Sequence, residues 1–125
     1  MNKINSAILR PYNFFVATFR QVSADTPELI SINYNTFSVV PEFSISGNDG
    51  KYHVEIINTE ELGILESSSV SVNAEIIYSE RGSTNKIEAF LSEDHRIINI
   101  INVFLEYASL QDIDGQFVVY IYKYF

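Results

Sequence analysis

Acid–base chemistry needs a tuned His, Asp or Glu, and the chain has only two histidines. His53 and Glu55 stand two residues apart in "KYHVEII". In an extended strand, residues i and i+2 project from the same face. An imidazole could therefore meet a carboxylate there, as a general base and the group that orients it. That pair is the centre of the small-ligand or enzyme reading of the chain. A solvated strand face gives the same spacing without chemistry, and it is the favoured reading. His95 lies between Asp94 and Arg96. In the first turn of a helix an imidazolium opposes the helix dipole, so His95 is read as neutral and incidental.

Other chemistry finds less support. "DIDG", Asp112 to Gly115, begins like a calcium loop. Such a loop needs further oxygen ligands and a later glutamate, and here "FVVYIY" follows almost at once. The stretch is read as a helix exit with Gly115 in a left-handed conformation. The serine run "ESSSVS" has no base near it in sequence. Nucleophile-elbow, phosphate-loop and dinucleotide motifs are absent. The chain has no cysteine, which removes disulfides, thiolate metal sites and cysteine nucleophiles. The expectation is a protein that is not an enzyme, with no catalytic residue, cofactor or metal.

The composition fits that expectation. A chain of 125 residues, 46% hydrophobic and 19% charged, suits a single domain spanning 1–125 with a core of its own. Eight basic residues against sixteen acidic ones give a net charge of −8. The basic ones are scattered, which argues against direct binding to a phosphate backbone. Acidity serves solubility; mimicry of nucleic acid is the other reading, although a mimic would concentrate its acids. The segment "MNKINSAILRPYNFF" lacks the apolar core of a signal peptide, and no stretch has the length of a membrane span. These features predict a cytoplasmic protein, or one assembled into a particle from the cytoplasm. Abundant Ile and Asn hint at an AT-rich genome, as in some bacteria and mobile elements.

The elements that would position any site have period two, the mark of half-buried strands. "NFFVATFRQVS" sets Phe15, Ala17 and Phe19 against Phe14, Val16, Thr18 and Arg20. "ELISINYN" aligns Ile30, Ile32 and Tyr34. "PEFSISGNDGKYHVEII" is a hairpin about "GNDG", and Pro41 marks an edge or a strand start. "NTEELG" has room for one helical turn. A second hairpin is expected from "SVSVNAEIIYSE" and "KIEAFLSE", turning at "RGSTN". Ile97, Ile101, Phe104, Leu105 and Ala108 follow a 3.6-residue spacing, with Ser92 as cap, and this predicts a helix over 93–110. "QFVVYIYKYF" is a final strand. The predicted fold is α+β and mainly β: a twisted antiparallel sheet of six or seven strands, with the late helix on one face. A small β-sandwich or barrel carrying a helix is the alternative.

The closing strand is apolar on both sides, with Phe117, Val119, Ile121 and Phe125 against Tyr120, Tyr122 and Tyr124. A strand of that kind is covered twice or meets another molecule. Tyrosine suits an interface because its apolar ring carries a polar tip. The candidate interface is therefore Tyr120, Tyr122, Tyr124, Phe14 and Val16. The function expected is a non-catalytic protein–protein interaction module, with a protein partner or self-association. It would be a subunit of a larger assembly, or a small inhibitor or adaptor of phage or mobile-element type. In layout alone the chain also resembles SecB-type export chaperones, which implies a holdase and assigns no residues.

Overall fold

The structure is a computed structural model and describes residues 13–81, 85–106 and 108–124. Among them run nine strands and one short helix: β1 (Asn13–Gln21), β2 (Glu28–Asn35), β3 (Phe43–Asn48), β4 (Lys51–Ile56), α1 (Thr59–Leu62), β5 (Val70–Ser79), β6 (Asn85–Leu91), β7 (Ile97–Phe104), β8 (Ser109–Leu110) and β9 (Gly115–Lys123). They form two antiparallel sheets. The first is ordered β2-β1-β9-β5 and the second β3-β4-β7-β6, with β8 added to β7.

Alternation builds the core as the sequence suggests. Phe15, Ala17 and Phe19 of β1 and Phe117, Val119 and Ile121 of β9 are fully buried. Facing them from the second sheet are Tyr52, Val54 and Ile56 of β4 and Ile98 and Ile100 of β7. Phe117 bridges the layers, with its ring centroid 5.5 Å from Phe19 and 6.0 Å from Tyr52. The inner face of β9 is thus covered by a second sheet, not by a helix.

The helix expected over 93–110 is instead a turn followed by strands β7 and β8. Ser92 and Asp94 are polar enough to cap a helix, but they close a hairpin between β6 and β7. The Ser92 hydroxyl donates to Asp94 Oδ1 at 2.6 Å and accepts from the Ile97 amide at 3.0 Å. The Ser92 hydroxyl, followed by the Arg96 amide, holds the Asp94 carboxyl below its usual range. His95, expected in a helical turn, sits in this turn at φ +60°. Past the turn, Ile98, Ile100 and Asn102 point inward while Ile97, Asn99, Ile101 and Val103 lie half-buried on the outer side. β7 is central, between β4 and β6. Apolar residues on both faces of a central strand fall at adjacent positions, and this looked like a helical period.

Two further expectations change. The segments 70–79 and 85–91 do not pair as a hairpin: β5 pairs with β9 and β6 with β7, so the chain crosses between sheets. Residues 82–84 of the expected "RGSTN" turn lie outside the described residues. In β2 the register against β1 slips twice, leaving Asn33 and Ile30 as bulge residues. Each extra residue shifts side chains to the other face. Ile32 therefore falls beside Ala17 yet stays 43% exposed, Tyr34 falls beside Val16 on the outer side, and Leu29 is the β2 side chain packed against the core.

The "GNDG" hairpin forms as read. Asp49 and Gly50 both take positive φ, +55° and +77°, the twist that a two-residue hairpin requires. β3, just after Pro41, is an edge strand. The one helical turn is α1, ended by Gly63 at φ +70°.

Candidate functional site

The outer face of the first sheet gathers the aromatic side chains that the core does not use. β1 and β9 pair in unbroken register, with Phe14 opposite Tyr122 and Val16 opposite Tyr120. Phe14 lies with its ring centroid 5.0 Å from Tyr122, 5.6 Å from Tyr34 and 6.3 Å from Tyr120. The Tyr120 and Tyr122 rings are nearly parallel, 5° apart, with centroids separated by 6.2 Å. Phe14, Val16, Tyr120 and Tyr122 are half-buried, and Tyr34 is 54% exposed. Four of the five candidate interface residues thus share one surface. Tyr124 stands one residue past β9, with its amide donating to the Ser69 carbonyl at 2.8 Å. Phe125 lies outside the described residues. Tyr34 joins this cluster through the β2 bulge, of which plain alternation gives no sign.

Polar but mostly uncharged side chains frame the patch. On β5, Ser71 is opposite Tyr122 and Asn73 opposite Tyr120. Thr18 donates to Asn33 Oδ1 at 2.8 Å. The charges on this side are Glu75, whose Oε2 accepts a long 3.4 Å bond from the Tyr120 hydroxyl, and the Arg20–Glu28 ion pair at 2.9 Å. Loss of hydration, and then the Glu75 carboxylate, raise the Tyr120 phenol above its usual range. Tyr122 is raised by loss of hydration first, then by its tyrosine neighbours and Glu75. Both phenols therefore stay protonated at neutral pH and can donate hydrogen bonds.

His53 and Glu55 lie on the outer face of the second sheet, as their spacing requires. His53 is half-buried, between Ser46 on β3 and Asn99 on β7; Glu55 is exposed, between Ser44 and Ile97. A shallow polar depression, lined by Arg20, Val22, Asp25, Thr26 and Glu28, lies at the β1–β2 turn, away from either histidine. Among the described residues, no three His, Asp or Glu side chains come close enough together to hold a metal ion.

The "DIDG" stretch ends no helix, and its left-handed residue is Asp114, at φ +46°, while Gly115 opens β9; the stretch does have a task, at one end of the sandwich. Asp112 is buried, and its Oδ1 accepts from the Gln21 amide at 2.7 Å and the Asp49 backbone N–H at 2.6 Å. Gln21 Oε1 in turn accepts from the Tyr52 hydroxyl at 2.5 Å and the Ile113 N–H at 2.9 Å. This knot joins β1, the "GNDG" turn and the approach to β9. Its members bond one another across the two sheets, so it braces the fold.

An antiparallel two-sheet sandwich with an aromatic outer face is the class that fold and site define. No protein-family model, curated protein or solved structure matches the chain. Among the described residues, no helix is long and apolar enough to cross a membrane.

Proposed function

We propose that this protein is a non-catalytic interaction module that docks a protein partner on the outer face of its first sheet. The observation that carries the reading is the Phe14, Tyr34, Tyr120 and Tyr122 cluster, an aromatic patch with few charges in a chain of net charge −8. Interface centres are depleted in charge and enriched in tyrosine and phenylalanine, and their rims are polar. Ser71, Asn73 and Glu75 supply such a rim. The protonated phenols add donors whose direction selects a partner with matching acceptors.

The test is capture from native source cells, comparing the wild type with Phe14→Ser/Tyr122→Glu. Both side chains are half-buried on the outer face, and circular dichroism of the variant checks that the fold persists. A protein held by the wild type and lost with the folded variant is the expected result. Equal capture by both, or none by the wild type, defeats the proposal. Suppression of a model client's aggregation by the wild type alone would turn the reading toward a holdase.

A further inference from the structure

Among the described residues each sheet leaves two edge strands, and an edge presents a row of backbone groups to which another strand can add. Three of the four edges are blunted. β2 has its bulges at Ile30 and Asn33. β5 has a bulge at Ile77 and runs close beside β6. β6 is shielded by that same approach and carries the Lys86–Glu88 ion pair. Among the described residues, β3 shows no shift in its pairing register and no charge, and its one irregular residue is Gly47, at φ +98° near the turn. Its six residues, FSISGN, are uncharged and pair with β4 in unbroken register.

The backbone directions along β3 follow from its neighbours. Just before the strand, the Glu42 carbonyl accepts from the Ile57 amide at 2.8 Å, whereas the Ile56 amide turns the other way, to Arg96. Bonding alternates along an antiparallel pair. Ser44 and Ser46 therefore bond to β4, while Phe43 and Ile45 direct N–H and C=O away from the sheet; Gly47, at φ +98°, departs from the extended alternation. Among the described residues, no hydrogen bond reaches those outward groups.

We infer that β3 is a self-docking edge, to which a second copy of the chain adds its own β3, antiparallel, about a two-fold axis through Ile45. Two copies that each carry −8 must meet on an uncharged surface, and β3 is the uncharged, unguarded edge. The sequence "SIS" is symmetric about Ile45, so the register is self-matching. Ile45 meets Ile45 and exchanges both of its outward hydrogen bonds. Phe43 meets Gly47, and Ser44 meets Ser46 in a close, non-bonded pair. The contact is isologous and closes as a dimer, with one sheet continuing across both copies. It is short, so the dimer is expected to depend on concentration. It lies apart from the outer face of the first sheet, and the Phe14 and Tyr122 substitutions leave it untouched.

Sedimentation velocity over a range of concentrations reads the association. The wild type is expected to show a monomer–dimer equilibrium. Ser44→Lys/Ser46→Lys sets lysines against lysines across the axis, and should weaken association by about tenfold or more. Ser44→Lys/Ser46→Glu places each lysine opposite a glutamate of the other copy and should restore it. Both serines are exposed, and thermal unfolding checks that each variant folds. A wild type that stays monomeric up to its solubility limit overturns the inference. So does a double-lysine variant that dimerises like the wild type, or a Lys/Glu variant that does no better than the double lysine.

Discussion

Gln21 is the side chain on which most polar atoms at one end of the sandwich depend. Its amide N–H groups serve the Asp25 carbonyl and Asp112, and its oxygen serves Tyr52, Ile113 and Asp114. Gln21→Ala strands these groups in a buried site, and each unmet partner costs about 1–3 kcal/mol. Urea unfolding should show a loss of roughly 2–4 kcal/mol; a loss under about 0.5 kcal/mol, the scale of a surface change, would mean that the knot braces nothing. Tyr52 is milder, because the Ile113 amide also bonds to Gln21. Tyr52→Phe should cost about 1–2 kcal/mol at neutral pH. Its pH signature is more specific. Burial, the largest cause, raises the Tyr52 phenol far above its ordinary value of about 10. The folded state therefore holds this proton more tightly than the unfolded chain. The stability from it is complete below pH about 10 and is lost as the pH climbs beyond, at up to about 1.4 kcal/mol per unit. The difference in unfolding free energy between wild type and Tyr52→Phe should shrink above pH 10; a constant difference would show that the proton is not linked to folding. None of this was legible in "DIDG", because Asp112 meets a glutamine 91 residues away, and local spacing carries no trace of such a partner.

Strand β7 shows where period and propensity part. Its isoleucines at 97, 98, 100 and 101 match a helical stripe as well as a strand that is apolar on both sides. The β-branched side chains favour the strand, and so does a central position between β4 and β6. The faces of β1, β4 and β9 were legible because each sets large apolar residues against a visibly different partner set, such as the tyrosines of β9. β2 was misread because its two bulges break the alternation that placed Ile30, Ile32 and Tyr34 together. Asn99, half-buried on the outer face of β7 opposite His53 and Phe90, tests the assignment by sign. In a strand, Asn99→Thr should match or exceed the wild type in stability and Asn99→Ala should fall below Thr by about 0.5–1 kcal/mol. Helix propensity predicts the reverse order. Thermal melts of the two variants decide between them, and an Ala variant more stable than the Thr variant would reject the strand.

At the scale of the molecule, the first and last strands depend on each other. β9 lies between β1 and β5, so Gly115–Lys123 completes the first sheet on both sides. Phe117, Val119 and Ile121 also fill the space against the second sheet. The β1–β9 pairing joins residues at opposite ends of the described chain, such as Asn13 with Lys123. Loop closure of that length precedes any gain from the contact, so folding is expected to be slow for the size, on the millisecond to second scale. Stopped-flow refolding would show this, and a microsecond folder would contradict it. The same dependence makes the end of β9 indispensable. Deleting residues 121–125 removes the fully buried Ile121 together with Tyr122, leaving β1 and β5 without their shared neighbour over that stretch. Loss of one large buried aliphatic side chain alone costs about 2–5 kcal/mol, and the broken ladders on both sides add to it. That sum is comparable with the whole stability of a domain of this size, about 5–15 kcal/mol. The truncated chain should therefore lose cooperative thermal unfolding and dispersed amide resonances. A truncation that stays soluble and melts at the wild-type temperature would show that β9 is not built into the core. A truncation that folds but melts lower would show that the lost side chain and ladders together cost less than the whole stability of the domain.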